Sequence, residues 1–162
     1  MADYGVPTDV DGALPWVWAS ERLERCRNFW IVTVDHAIAP HAMPVWGVWI
    51  DADERFFFST SPNSLKARNI ADNPRVVVAA DDTVECVSME GLATRLDAGP
   101  VADTYIARYV EKYEPDPVKA EAMVGFVGSH AMFIVRPVRA IGIIEREDEF
   151  AARATRWSWP HP

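Results

Sequence analysis

The sequence predicts a mainly β chain with interspersed helices, folded as an antiparallel barrel rather than a βαβ unit. About six runs of β-branched and aromatic residues follow one another in hairpin order, with turn residues at their ends. Helical segments are inserted between some of them, and no internal repeat or low-complexity stretch interrupts the pattern.

Residues 1–14 are polar with scattered glycine and proline and read as a loose N-terminal arm; residues 15–162 read as a single domain. Pro15 suits a first helical turn, and Trp16, Ala19, Leu23 and Cys26 recur at helical spacing, which predicts an amphipathic helix to Arg27. Phe29–Asp35 reads as a strand, His36–Ala39 as a hairpin connection and Pro40–Asp51 as the returning strand. The run Asp51-Ala52-Asp53-Glu54 turns into a third strand, Arg55–Ser59, and a short helix covers Ser64–Ala71. Arg75–Ala80 is a strand, and Val84–Leu96 pairs back on it with a bulge expected near Gly91. Pro100–Tyr113 is the second substantial helix, with Tyr105, Ile106, Tyr109 and Val110 on one stripe. Val118–Met123 adds a helical turn, Ala131–Ile144 is the last long strand, and an acidic, alanine-rich turn leads to Thr155-Arg156-Trp157-Ser158-Trp159.

A chain of 162 residues can bury roughly 70% of its unfolded surface. A net charge of −8 argues against nucleic acid and anionic membrane as partners. No apolar run reaches membrane length, and the acidic N-terminus does not resemble a signal peptide, so a cytoplasmic protein is expected. Cys26 and Cys86 lack metal spacing and are expected as buried hydrophobes in a reducing compartment. Five of the seven tryptophans precede residue 50, which predicts an aromatic wall in a core, an interface or a planar-ligand pocket.

The segment richest in chemistry is Phe56-Phe57-Phe58-Ser59-Thr60-Ser61-Pro62-Asn63-Ser64-Leu65-Lys66-Ala67-Arg68. A helix start leaves backbone N–H groups unpaired and carries partial positive charge, so it attracts an anion. Hydroxyls at Ser59, Thr60, Ser61 and Ser64 and the charge of Lys66 add donors, making a phosphate cradle without the glycines of a Walker loop. The competing structural role of Ser64 is the helix cap, and that of Arg68 is an ion pair with Asp72.

With the preceding strand Met43-Pro44-Val45-Trp46, this pattern resembles the pyridoxamine-phosphate-oxidase-like family of flavin-binding split β-barrels. The resemblance implies a six-stranded antiparallel split barrel of Greek-key order with flanking helices, paired as a homodimer with each cofactor in a groove between the two copies. It implies that Ser59, Thr60, Ser64 and Lys66, with Arg68 as a further contact, hold the phosphate of FMN or of the deazaflavin coenzyme F-420. It implies that Met43, Pro44, Val45 and Trp46 run along the cofactor ring. The tryptophan-rich first helix, Met-Pro-Val-Trp, Lys-Ala-Arg-Asn and the terminal Thr-Arg-Trp resemble the actinobacterial deazaflavin-dependent branch, so F-420 is favoured and FMN is the alternative. Arg22, Arg25, Arg27, Lys66, Arg68 and Arg75 are candidates for the anionic oligoglutamate tail of F-420.

The expected activity is hydride transfer between the cofactor and a small unsaturated or oxidised substrate. The alternative is a non-catalytic flavin, deazaflavin or haem carrier on the same barrel. Oxidation of pyridoxamine phosphate is disfavoured, because the family's R-L-x-P-type ending is replaced by Arg156-Trp157-Ser158-Trp159-Pro160. The residues reveal no catalytic group and no metal set: His41 is a lone strand histidine, and His36, His130 and His161 are scattered. A redox cofactor that performs the chemistry itself is compatible with that absence.

Overall fold

Strand pairing closes a six-stranded antiparallel barrel in the computed structural model, which describes residues 12–160. The strands are β1 (Asn28–Val34), β2 (Pro40–Ile50), β3 (Arg55–Thr60), β4 (Arg75–Ala80), β5 (Glu85–Leu96) and β6 (Ala131–Ile144), ordered β3-β2-β1-β4-β5-β6 with β3 pairing back onto β6. Two three-stranded meanders are thus joined by a connection carrying α2 (Leu65–Asp72), which brings β4 beside β1.

Side-chain alternation fills the barrel. Phe29, Ile31 and Thr33 point inward from β1, Val76, Val78 and Ala80 from β4, and Val87 and Met89 from β5, and all are buried. The aromatic run of β3 is divided by the same period. Phe56 and Phe58 join the interior, while Phe57 faces outward against Tyr105 and Tyr109 of α3 (Pro100–Tyr113). The α3 stripe expected from the sequence is buried on the outer faces of β2, β3 and β6 through Val48, Phe57 and Met132.

Helix α1 (Trp16–Arg25) buries Ala19 and Leu23 against the barrel and brings the aromatic wall together. The Trp16 ring meets Trp49, Trp157 and Trp159 edge-on at centroid distances of 5.7, 5.4 and 4.8 Å. Beneath it, Asp51 Oδ1 accepts hydrogen bonds from Ser20 Oγ at 2.6 Å, Trp49 Nε1 at 3.2 Å and Trp16 Nε1 at 3.3 Å. Those donors, led by Ser20, hold the Asp51 carboxyl below the usual carboxylate range.

Four features differ from the sequence expectation. The helical turn expected at 118–123 is the twelve-residue α4 (Pro117–Gly128), whose single buried residue, Val127, gives no stripe to read. The turn before the C-terminus contains α5 (Phe150–Arg153), and Thr155–Ser158 forms a seventh strand, β7, paired with β6. Cys86 is half-buried rather than buried, because Val87 and not Cys86 takes the inward position. Of the expected arm, residues 1–11 lie outside the described residues, and Leu14 is buried and docked, its N–H donating to Thr155 Oγ1 at 2.8 Å. The expected bulge is present as a register shift between Glu90 and Gly91. Among the described residues no helix is long and apolar enough to cross a membrane.

Replacing Asp51 by alanine removes the shared acceptor of three donors and should destabilise the fold by about 1–3 kcal/mol in urea unfolding. The folded-state pKa of Asp51 is lowered, so its contribution is present above the unfolded-state value of 3.8 and is lost as pH falls below it toward the folded one. The stability difference between parent and Asp51→Ala should therefore narrow on acidification below about pH 4.

Candidate functional site

Strand β2 is longer than its neighbour β3. Gly47–Ile50 pair with Arg55–Phe58 on one edge of β3, while its other edge pairs with β6 from Phe56 to Thr60, so Ser59 and Thr60 keep only their β6 partners, Met132 and Ala131. Residues 40–46 of β2 consequently pair only with β1, and their other edge has no strand partner among the described residues. The barrel is split at this point. Pro44, which lacks a ladder donor, sits within the one-sided segment, opposite Trp30.

Across the split, the end of β3 and the start of α2 form a polar corner. Ser64 is the helix cap, its Oγ accepting from Ala67 N–H at 3.3 Å. Thr60 Oγ1 lies 3.3 Å from Ser64 Oγ, and Lys66 Nζ donates to Thr60 Oγ1 at 3.3 Å. Lys66 is half-buried and forms no ion pair among the described residues. Burial lowers its pKa, the sign expected of an ammonium that has lost water without gaining a carboxylate. Helix α2 is held over β1 by Asn69, buried and donating to the buried Thr33 hydroxyl at 3.0 Å.

Three of the phosphate-cradle residues named from the sequence, Thr60, Ser64 and Lys66, therefore meet at one corner. Ser59 does not join them: the strand alternation places it on the face of Phe57, toward α3. Arg68 is exposed and donates to the Asn63 carbonyl at 2.7 Å, closing the turn, and it makes no ion pair with Asp72. Among the tail candidates, Arg22 pairs with Glu85, Arg25 pairs with Glu21, and Arg75 is exposed at the start of β4.

On the β2 side, Met43 and Pro44 are exposed, Val45 is buried and Trp46 is 42% exposed. Trp49, three residues on and therefore on the other face, is core. Trp46 is stacked on Tyr113 of α3 with centroids 4.8 Å apart and planes 5° from parallel, and the Arg27 guanidinium lies 5.3 Å from the Trp46 ring. The Tyr113 hydroxyl accepts from Gly47 N–H at 2.8 Å and donates to the Arg27 carbonyl at 2.6 Å, while Lys112 Nζ donates to the Gly47 carbonyl at 3.0 Å. Tyr113 and Lys112 escaped the sequence reading because nothing local ties the end of α3 to residue 47. The only available signal was the position of Tyr113 one turn beyond the Tyr109 stripe.

His41 is half-buried on β2 and His36 is exposed; His161 lies outside the described residues. Among the described residues no three His, Cys, Asp or Glu side chains group as a metal site.

The pyridoxamine 5′-phosphate oxidase family profile matches residues 19–130, which covers the one-sided strand, the cradle and α3. The chain belongs to this family. Among solved structures, it is similar to the heme storage protein HutZ from Vibrio cholerae at 17% identity, over 74% of this chain and 87% of that one, with a TM-score of 0.61. It is similar to an F-420 reductase at 22% identity over 75% and 94%, TM-score 0.58, and to a heme binding protein from Mycobacterium smegmatis at 15% identity over 90% and 59%, TM-score 0.67. At these identities the likeness shows the fold. The curated proteins give no match.

Proposed function

We propose that this member of the pyridoxamine 5′-phosphate oxidase family is an oxidoreductase that binds the deazaflavin F-420, with FMN as the alternative cofactor, and reduces or oxidises a small unsaturated or oxidised substrate. The observation that carries the reading is Lys66, a half-buried cation beside the Thr60 hydroxyl at a capped helix start, with no carboxylate pairing it among the described residues. An anionic phosphate would replace the water that Lys66 has lost and would accept from the α2 N–H groups. This corner suits a phosphate-bearing cofactor better than haem, which two of the similar structures are named for.

When bound, the deazaflavin or flavin supplies the hydride chemistry. The chain's own residues bind and orient it: Lys66, Thr60 and Ser64 hold the phosphate, and Arg68 borders the same corner. Ser59, turned toward α3, stands apart from this corner. Met43, Pro44, Val45 and Trp46 present the unpaired edge of β2 to the ring's polar rim, which a hydrogen-bonding heterocycle can satisfy in place of a strand. Of the basic tail candidates, Lys66 and Arg68 stand beside the cradle, whereas Arg22 and Arg25 are engaged in ion pairs. Turnover separates enzyme from carrier: reduced cofactor should be oxidised by the protein only when an enone or quinone acceptor is present.

The exposed Trp30, Pro44 and Trp46 on the outer face of β1 and β2 mark the surface that a second copy covers. Light scattering at micromolar concentration should give twice the 18.2 kDa of the chain, and a cofactor-loaded monomer would contradict a shared groove.

Lys66→Ala should weaken cofactor binding by about ten- to a hundredfold, one charge-assisted contact of roughly 1.5–3 kcal/mol. Its melting temperature should stay close to the parent's, because the lysine makes no ion pair among the described residues.

F-420 should bind more tightly than FMN at low salt, and the gap should close as salt rises. The phosphate corner serves both cofactors, while the anionic tail meets solvent-exposed cations screened as the Debye length falls from about 10 Å at 0.1 M to about 3 Å at 1 M. Fluorescence titration of both cofactors at the two ionic strengths measures this, and FMN binding as tight as F-420 at low salt would assign the site to FMN.

A further inference from the structure

A groove runs between α1 and α3 over the far half of β2. It is lined by Glu24, Val48, Ile50, Asp51 and Ala52, with Arg108, Glu111 and Lys112 from α3. Lys112 is the unusual member. It is half-buried, its Nζ donates to the Gly47 carbonyl at 3.0 Å, and the ammonium lies 4.9 Å from the Phe29 ring centroid. Among the described residues it forms no ion pair, whereas Arg108 on the same groove is paired with Glu111 at 3.1 Å.

We propose that Lys112 is a nucleophilic amine that captures small, uncharged aldehydes entering this groove. The nitrogen lone pair of the free amine adds to the carbonyl carbon, the carbonyl oxygen takes up the proton that nitrogen gives up, and loss of water leaves a C=N imine. The lining selects for that class. Val48, Ile50 and Ala52 provide apolar wall, and the carboxylates of Glu24, Asp51 and Glu111 repel anionic electrophiles such as acyl phosphates.

The protonation state supports the geometry. Burial pushes the Lys112 pKa down to about 8, against the opposing pull of Cys26 and Glu24 on α1 and Asp81 after β4. Asp51 lines the groove from the end of β2, and on α3 itself Arg108 and Glu111 neutralise one another. At pH 7.5 a pKa near 8 leaves about a quarter of the amine free, against about one part in a thousand for an ordinary lysine. Lower basicity takes back some of that advantage in nucleophilicity, so a roughly tenfold gain in rate is the expected remainder.

The chain contains three lysines, Lys66, Lys112 and Lys119, so the test needs no variant to be informative. The full-length protein is treated at about pH 7.5 with propanal and cyanoborohydride, which traps the imine as a secondary amine, and adducts are timed by peptide mass spectrometry. Lys112 should be labelled about ten times faster than Lys119, although the Lys119 side chain is 70% exposed. The preference should vanish in urea, and Lys112→Arg should abolish the adduct without changing the Lys119 rate. Labelling that follows exposure, with Lys119 as fast as Lys112, overturns the proposal. FMN should slow labelling of Lys66 and not of Lys112; equal protection of Lys112 would assign the groove to the cofactor and likewise overturn it. Failure of FMN to protect Lys66 bears on the phosphate cradle alone.

Discussion

The barrel depends on one mismatch: β2 is eleven residues long and β3 six, so β3 cannot cover it. The two strands separate after the Gly47–Phe58 pair, and the last residues of β3, Ser59 and Thr60, stay paired with β6 alone. An unpaired backbone edge is costly when it is buried away from water, so the open stretch of β2 has to face solvent, a second chain or a ligand. The polar corner of Thr60, Ser64 and Lys66 lies where β3 turns away. A vacancy in the ladder and a cationic, hydroxyl-rich helix start therefore come from the same departure of one strand from another.

The point of separation is held tightly. Gly47 has no room for a side chain, since a Cβ there would stand 2.2 Å from the Phe56 ring. Its N–H goes to Tyr113 and its carbonyl receives Lys112, so α3 supplies side-chain partners where the strand pairing gives out. The hydroxyl of Tyr113 also reaches the Arg27 carbonyl, and its ring carries Trp46. Movement of α3 would thus be felt one residue from the tryptophan that borders the split. Farther along β2, Trp16, Trp49, Trp157 and Trp159 pack near Asp51, and the ion pairs Arg22–Glu85, Arg146–Glu85 and Arg146–Glu149 tie α1 and β5 to the segment before β7. Helix α1 and the segment around β7 are thus fastened to one another.

Much of this was legible in the residues. Period-two runs bounded by turn residues identify all six barrel strands, and the 3.6-residue stripe of α3 identifies both the helix and its buried face. The cradle was legible because its parts are local: a cap, two hydroxyls and a lysine within seven residues of chain, Thr60 to Lys66. Ser59 shows the limit, since adjacent hydroxyls on a strand point to opposite faces and only the pairing with β6 decides which one meets the helix. Helix α4 was read short because it buries only Val127 and so carries no periodic signal, and β7 was missed because four residues beside a long strand are set by their partner. Tyr113 and Lys112 belong to the same class: each contacts Gly47 across more than sixty residues of sequence.

A crystal structure of the chain grown with F-420 or FMN is the most direct measurement of the cradle. The phosphate should lie about 3 Å from both Lys66 Nζ and Thr60 Oγ1, at the start of α2, with the ring along the unpaired edge of Met43–Trp46. A cofactor bound elsewhere, with Lys66 left to solvent and the β2 edge uncovered, would contradict the account.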